Sequence, residues 1–458
     1  MNTELKNIQE VMKKTEAEMS PTFCMAKWHH TTIYLQTGET HSCYHPAPHK
    51  INLQELKNNP SALHNTLEKK SQRKDMLEGK KPAGCSYCWK IEAMGKDYIS
   101  DRKQKTASIY TPERLQEIKE GGWEFDVNPE YVEISFSNEC NFKCGYCHPK
   151  ASSRYWKEIE KHGPYDMSTT HKQDIDWINL KPKEEDNPYV SAWLEWWPEL
   201  SKTLNILRIT GGEPLMHSTT WKLLDDLDAD PKPHIQIELN SNLGVKQSLV
   251  KKFTDKIKKL KDEKKIRSFK LYTSIDTWTK RAEYPRHGLD IDLWESNLDY
   301  YLTTTKMPVT FMITFNIFSV TSFDTLLNKI LEWRRKYNSD TQSQWQLIRF
   351  DTPHLKEPSI YDMNILPKVE YMPYMEKHLD FINENLDDND KTKFSQMEYE
   401  KFKRVVDYMK GTFYNEQDLV TARQDFYAWF TEHDNRRNTS IYETFPEMKN
   451  FIDYCAEL

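Results

Sequence analysis

The chain has 458 residues, eight cysteines and a formal net charge of −6. That length buries a substantial core without disulfides, and so small a charge excludes a chain that binds polyanions by bulk positive charge. No run reaches the roughly 18 to 20 apolar residues of a membrane span, and the first twenty residues lack the apolar stretch of a signal peptide. The expectation is a soluble, cytoplasmic protein with no membrane partner and no strong nucleic-acid signal, whose clustered cysteines bind metal.

In chain order, residues 1–125 read as an irregular, cysteine- and histidine-bearing domain, with Gly38 at the turn of a hairpin. Strand-like runs follow at 131–137, 204–210, 234–240, 269–275, 309–315 and 344–350, alternating with helical patterns over 220–227, 246–260, 291–303 and 322–337. Alternation of this kind predicts βα units around a parallel sheet, an α/β protein with a partial six-stranded barrel spanning 126–367. The lysine-rich stretch 251–270 keeps apolar residues at helical spacing, so it reads as a solvated helix face. From 368 to 458 the pattern turns helical and aromatic-rich, a packing extension or lid.

Chemistry in such folds gathers in the loops after the carboxyl ends of the strands. Cys140, Cys144 and Cys147 follow the first of the six runs directly, and Gly211, Gly212 and Glu213 follow the second, the glycines giving a ligand room beside the backbone. Asn240 to Asn242 and Ser274 to Asp276 close the third and fourth. Three thiolates on a short loop suit a four-iron cluster that leaves one iron open. A zinc knuckle completed by His148 is the alternative. Asp276, Asn316 and Arg349 lie at strand ends, where each could equally be a cap, and no catalytic acid or base is assigned.

The triplet, spaced C-x-x-x-C-x-Tyr146-C, resembles the signature of the radical S-adenosylmethionine superfamily, and Gly211-Gly212-Glu213-Pro214 resembles its second motif. The resemblance implies a partial barrel in which S-adenosylmethionine chelates the open iron. Glu213 would receive the methionine ammonium and Tyr146 would lie by the adenine. It also implies that Asn240, Asn242, Ser274 and Asp276 contact ribose and methionine and that Arg286 takes a carboxylate.

A second cysteine set, Cys24, Cys43, Cys85 and Cys88, closes a four-thiolate site. It resembles the twitch form of the SPASM extension, which implies an auxiliary four-iron cluster used for electron transfer; here the segment precedes the barrel, whereas in familiar members it follows. Zinc remains the alternative from cysteine spacing alone. His29, His30, His41 and His45 receive no role, and Cys455 reads as a plain thiol. The resemblance implies reductive cleavage of S-adenosylmethionine and hydrogen abstraction from a substrate, with an electron donor such as flavodoxin or ferredoxin. The substrate is expected to be a peptide or protein that is oxidatively modified, with dehydrogenation of a small molecule as the alternative. A metal-stabilised binding protein without catalysis is the reading from another class.

Overall fold

The computed structural model describes residues 3–95, 99–168, 175, 180, 184–338 and 346–458. Among these described residues nine strands form one sheet: β1 (His30–Tyr34), β2 (Glu39–His41), β3 (His49–Lys50), β4 (Tyr131–Ser135), β5 (Ile206–Thr210), β6 (Lys232–Ser241), β7 (Ile266–Ser274), β8 (Val309–Met312) and β9 (Ile348–Asp351). Their order is β3-β2-β1-β4-β5-β6-β7-β8-β9, parallel from β1 to β9 and antiparallel only through β2 and β3. This is a mixed α/β fold, a partial barrel with a helical extension. The six predicted runs are β4 to β9, with positions 344 and 345 of the last run outside the described residues.

The amino-terminal segment adds a seventh parallel strand, because β1 pairs along its whole length with β4, His30 opposite Tyr131 and Tyr34 opposite Ser135. Its hairpin turns at Gly38, at φ +65°. Sequence reading found the hairpin but not this pairing, which joins residues about a hundred positions apart and leaves no local trace.

Side chains alternate across the sheet, as the period of two requires. Val132, Ile134, Leu207, Ile209, Ile237, Leu239, Leu271, Val309, Phe311 and Ile348 are buried. They form one core with Val250, Phe253, Ile257 and Leu260 of the helix Gln247–Asp262 and with Leu326, Ile330 and Trp333 of the helix Phe323–Asn338. Positions between them carry polar groups: Glu133, Arg208, Glu238 and Lys270 face one another in register across β4 to β7. The other face of the sheet is therefore polar and charged, the inner wall of the barrel. Lysines of the 251–270 stretch do lie outside, where Lys256, Lys259 and Lys265 share Asp228.

The carboxyl-terminal region is helical throughout, with principal helices Lys368–Glu384, Gln396–Lys410, Glu416–Arg437 and Lys449–Ala456. Ser395 and Glu398 make a reciprocal capping box at the start of the second. Phe426, Trp429 and Phe430 of the third belong to the main core rather than to a separate flap. Among the described residues no helix is long and apolar enough to cross a membrane.

Candidate active site

The loop from Asn138 to Pro149 leaves the carboxyl end of β4 and turns back under the rim. Cys140 and Cys144 are buried and Cys147 is half-buried, and none of the eight cysteines forms a disulfide. Backbone bonds from Lys143 to the His287 carbonyl and from Gly145 to the Pro285 carbonyl, both 2.9 Å, tie this loop to the segment after β7. Gly145 faces Tyr361 and Trp429 so closely that a Cβ would stand 2.0 Å from the Tyr361 hydroxyl. Burial pushes all three thiols up, Cys147 to about 12. The metal-free loop therefore holds neutral thiols, and metal binding must release their protons.

Gly211, at φ +85°, and Gly212 follow β5 directly against this loop. A Cβ on Gly211 would lie 1.8 Å from the Ser135 hydroxyl, and one on Gly212 would lie 2.2 Å from the Glu139 carbonyl. The glycines thus let two strand ends close on each other; the space beside their Cα atoms, expected to admit a ligand, is filled by Ser135 of β4 at Gly211 and by the Asn138–Glu139 backbone at Gly212. Glu213, fully buried, accepts from the Asn242 and Leu215 amides at 2.6 and 3.1 Å and from the Ser241 hydroxyl at 2.8 Å. Burial raises its carboxyl to about 7 against the pull of those three donors. Asn242 also donates to Asn141 at 2.8 Å and approaches the Cys140 sulfur at 3.8 Å.

Other expected cofactor contacts are arranged differently. Asp276 binds Arg286 through both oxygens at 2.9 Å and accepts the Tyr146 hydroxyl at 2.6 Å and the Thr314 amide at 2.9 Å. Arg286 also lies 5.3 Å over the Tyr146 ring. Arg286 is thus paired with a carboxylate of the chain, as two charges this deeply buried require. Asn240 accepts from Arg208 at 3.1 Å and belongs to the inner wall. Ser274 ends β7, half-buried, and Asn316 caps its own turn by accepting the Phe318 amide.

Residues that sequence reading missed complete the surroundings. Buried hydroxyls of Tyr155 and Tyr361 and the Trp429 indole find no hydrogen-bond partner in the structure. Tyr361 stands against Cys144 and Tyr155 against Cys147, each within electrostatic reach. Unpaired buried donors are costly, and they suit a loop whose sulfurs become anionic acceptors, so this pocket fits an iron–sulfur cluster held by Cys140, Cys144 and Cys147. Nothing in the local sequence signals these partners, since Tyr361 and Trp429 arrive from elements more than two hundred residues away.

Cys24, Cys43, Cys85 and Cys88 line one recess together with Lys27, His45, Asp101, Arg102 and Lys105. Cys24 precedes β1 and Cys43 follows the opposed β2, so this recess lies at the amino-terminal ends of the parallel strands, across the barrel from the triplet. Tyr44, next to Cys43, shares a 2.8 Å hydrogen bond with Tyr131, which donates to Glu133 at 3.3 Å on the inner wall. Among the described residues no three Cys, His, Asp or Glu side chains converge on the position of a single metal ion.

The structure brings together the cysteine loop, the Gly-Gly-Glu-Pro turn and the parallel strands that carry them, the arrangement that a resemblance to the radical S-adenosylmethionine superfamily implies. No family model matches the chain. It is 24% identical over 167 residues to a GTP 3′,8-cyclase of Sulfurimonas denitrificans, covering 36% of this chain and 41% of that one. A GTP 3′,8-cyclase of a Sulfurovum species is 26% identical over 132 residues, 28% of this chain and 31% of that one. The chain thus spans well under half the length of these curated relatives. Among solved structures it is similar to anSMEcpe with bound AdoMet, at 15% identity, a TM-score of 0.35 and coverage of 55% of this chain and 61% of that one.

Proposed function

We propose that the chain reductively cleaves S-adenosylmethionine and oxidatively modifies a peptide or protein by hydrogen-atom abstraction, acting as an oxidoreductase with an auxiliary four-iron cluster. The observation that carries this reading is the rim itself: Cys140, Cys144 and Cys147 stand beside a buried carboxylate, Glu213, among unpaired buried donors. When bound, the cluster and S-adenosylmethionine would supply the 5′-deoxyadenosyl radical. Glu213 is the group for the methionine ammonium: its carboxyl is held by three donors and sits one hydrogen-bonded step, through Asn242, from Cys140.

The recess of Cys24, Cys43, Cys85 and Cys88 supports the auxiliary cluster, since four thiols line one cavity and a four-iron cluster takes four thiolates. A second reading, a small polar substrate, is favoured by the charged inner wall of Glu133, Arg208, Glu238 and Lys270 and by relatives named for a nucleotide.

The test is anaerobic reconstitution with iron and sulfide, then S-adenosylmethionine and a strong reductant, with chromatography for 5′-deoxyadenosine. The expected result is product from the wild type and none from Cys144→Ala. A fully iron-loaded protein that neither binds nor cleaves S-adenosylmethionine would leave the binding-protein reading standing.

A further inference from the structure

The four-cysteine recess is lined by Lys27, Arg102 and Lys105 against one carboxylate, Asp101, and two further buried cations stand behind it. Lys27, 2% exposed, lines the recess and gives its ammonium to the neutral Gln72 side chain. Behind it the fully buried Lys69 donates to the Thr31 and Thr40 hydroxyls at 2.8 and 2.7 Å, with His64 Nδ1 at 3.4 Å. Arg73, equally buried, contacts the Lys27 carbonyl at 3.0 Å, the Phe125 carbonyl at 3.4 Å, His64 Nε2 at 3.0 Å and Asn65 Oδ1 at 3.1 Å. Lys105, at the mouth, lies 4.4 Å over the Tyr44 ring.

Among the described residues, none of these four cations forms an ion pair with an acid. The acids nearby are already engaged: Glu16 and Glu92 by Arg102 at 2.9 and 2.8 Å, Asp101 by His45 at 2.8 Å, and Asp126 by Lys70 at 2.6 Å. Burying a charge without its partner costs several kcal/mol, so three such cations side by side imply a counter-charge. Burial pushes Lys69 and Arg73 down; at Lys69 the charges of Arg73 and Lys27 add to it, and at Arg73 the Asp126 carboxylate opposes it. Four neutral thiols supply none, whereas four thiolates around iron and sulfide carry net negative charge.

We propose that Lys27, Lys69, Arg73 and Lys105 are the electrostatic complement of an anionic four-thiolate iron–sulfur centre in this recess and raise its reduction potential, so that it accepts an electron from the barrel. The inference rests on the auxiliary-cluster reading above. The electron comes from a carbon-centred substrate radical, which also loses one proton to solvent and becomes a closed-shell product with one more bond. The centre gains one negative charge, and fixed cations close by stabilise that reduced state more than the oxidised one. Tyr44 adjoins Cys43 in the chain and hydrogen-bonds Tyr131 of β4, which links the recess to the barrel wall.

The full-length chain carrying Cys140→Ala, Cys144→Ala and Cys147→Ala isolates this centre. Its iron content and its midpoint potential, followed by electron paramagnetic resonance during a redox titration, are the readouts. Lys105→Gln should shift the potential to more negative values, Lys27→Met further, and Lys27→Arg and Lys105→Arg should restore it. Lys105 is partly solvent-reached, so its variant decides the matter if Lys27→Met fails to fold. Equal potentials in iron-loaded wild type and Lys105→Gln would overturn the proposal while leaving the cluster in place. A recess that takes zinc and no iron would overturn the auxiliary-cluster reading, and this inference with it.

Discussion

Glu213 shows what a single carboxyl costs when a site is built before its ligand arrives. It is fully buried, with a carboxyl raised to about 7 by burial despite three donors. The folded state therefore holds its proton at a pH where the unfolded chain has lost it. Stability from this group is complete below the ordinary carboxylate range and is lost as pH rises through about 7, by on the order of 3 kcal/mol. In the metal-free protein, melting curves of Glu213→Gln against the wild type should show the variant gaining relative stability between pH 5 and pH 8. A pH-independent difference would mean that Glu213 stays ionised throughout. At this scale the sequence placed Glu213 and the cysteines by motif and spacing. It did not pair Arg286 with Asp276, because a buried arginine and a buried aspartate ten residues apart do not announce, in one dimension, that they are partners.

At the scale of elements, β4 to β9 and the helices between them were legible because each is a short period of two or 3.6 with its own ends, such as Asp290 capping Ile291–Thr305 by accepting two amides at 3.1 Å. β1 as a parallel strand and the polar inner wall were not, since both arise only when distant strands come into register. The junction of β4 and β5 carries a prediction. A Cβ at residue 212 meets the Glu139 backbone, which cannot rotate away as a side chain would. On the proposed two-cluster reading, Gly212→Ala should therefore displace the cysteine loop and lower bound iron from about eight to about four per chain, one four-iron cluster being lost. Gly79→Ala meets nothing within 4 Å and is the control that should keep its iron, its penalty confined to backbone strain of about 1 kcal/mol. Iron retained by Gly212→Ala would show that the loop can yield without releasing its metal.

Across the whole molecule, the carboxyl-terminal helices act as a clamp on the cysteine loop, a role that composition alone could describe only as wall or lid. Arg437, at the end of Glu416–Arg437, donates to the Lys143 carbonyl at 2.7 Å, inside the triplet, and to Glu158 at 2.8 Å. The pair is almost dry, with side chains 0% and 3% exposed. Burial alone would raise Glu158, but Arg437, with Lys143 and Tyr165, holds it down to about 2. Its contribution is thus present above the ordinary carboxylate range and lost as pH falls toward about 2. Removing one partner strands the other in the core, so Arg437→Met should cost about 3 to 5 kcal/mol. The loss should not be uniform: the Lys143 carbonyl loses its donor, so on the two-cluster reading the triplet's iron should leave before that proposed for the recess of Cys24, Cys43, Cys85 and Cys88. Arg437→Lys keeps the charge without the fork that spans Glu158 and the loop, and should fall between. Melting temperature together with iron content after mild chelation separates the two outcomes. A lowered melting temperature with both iron sets equally retained would make the helix a packing element only, whereas early loss of about four irons would make the last quarter of the chain a working part of the cluster site.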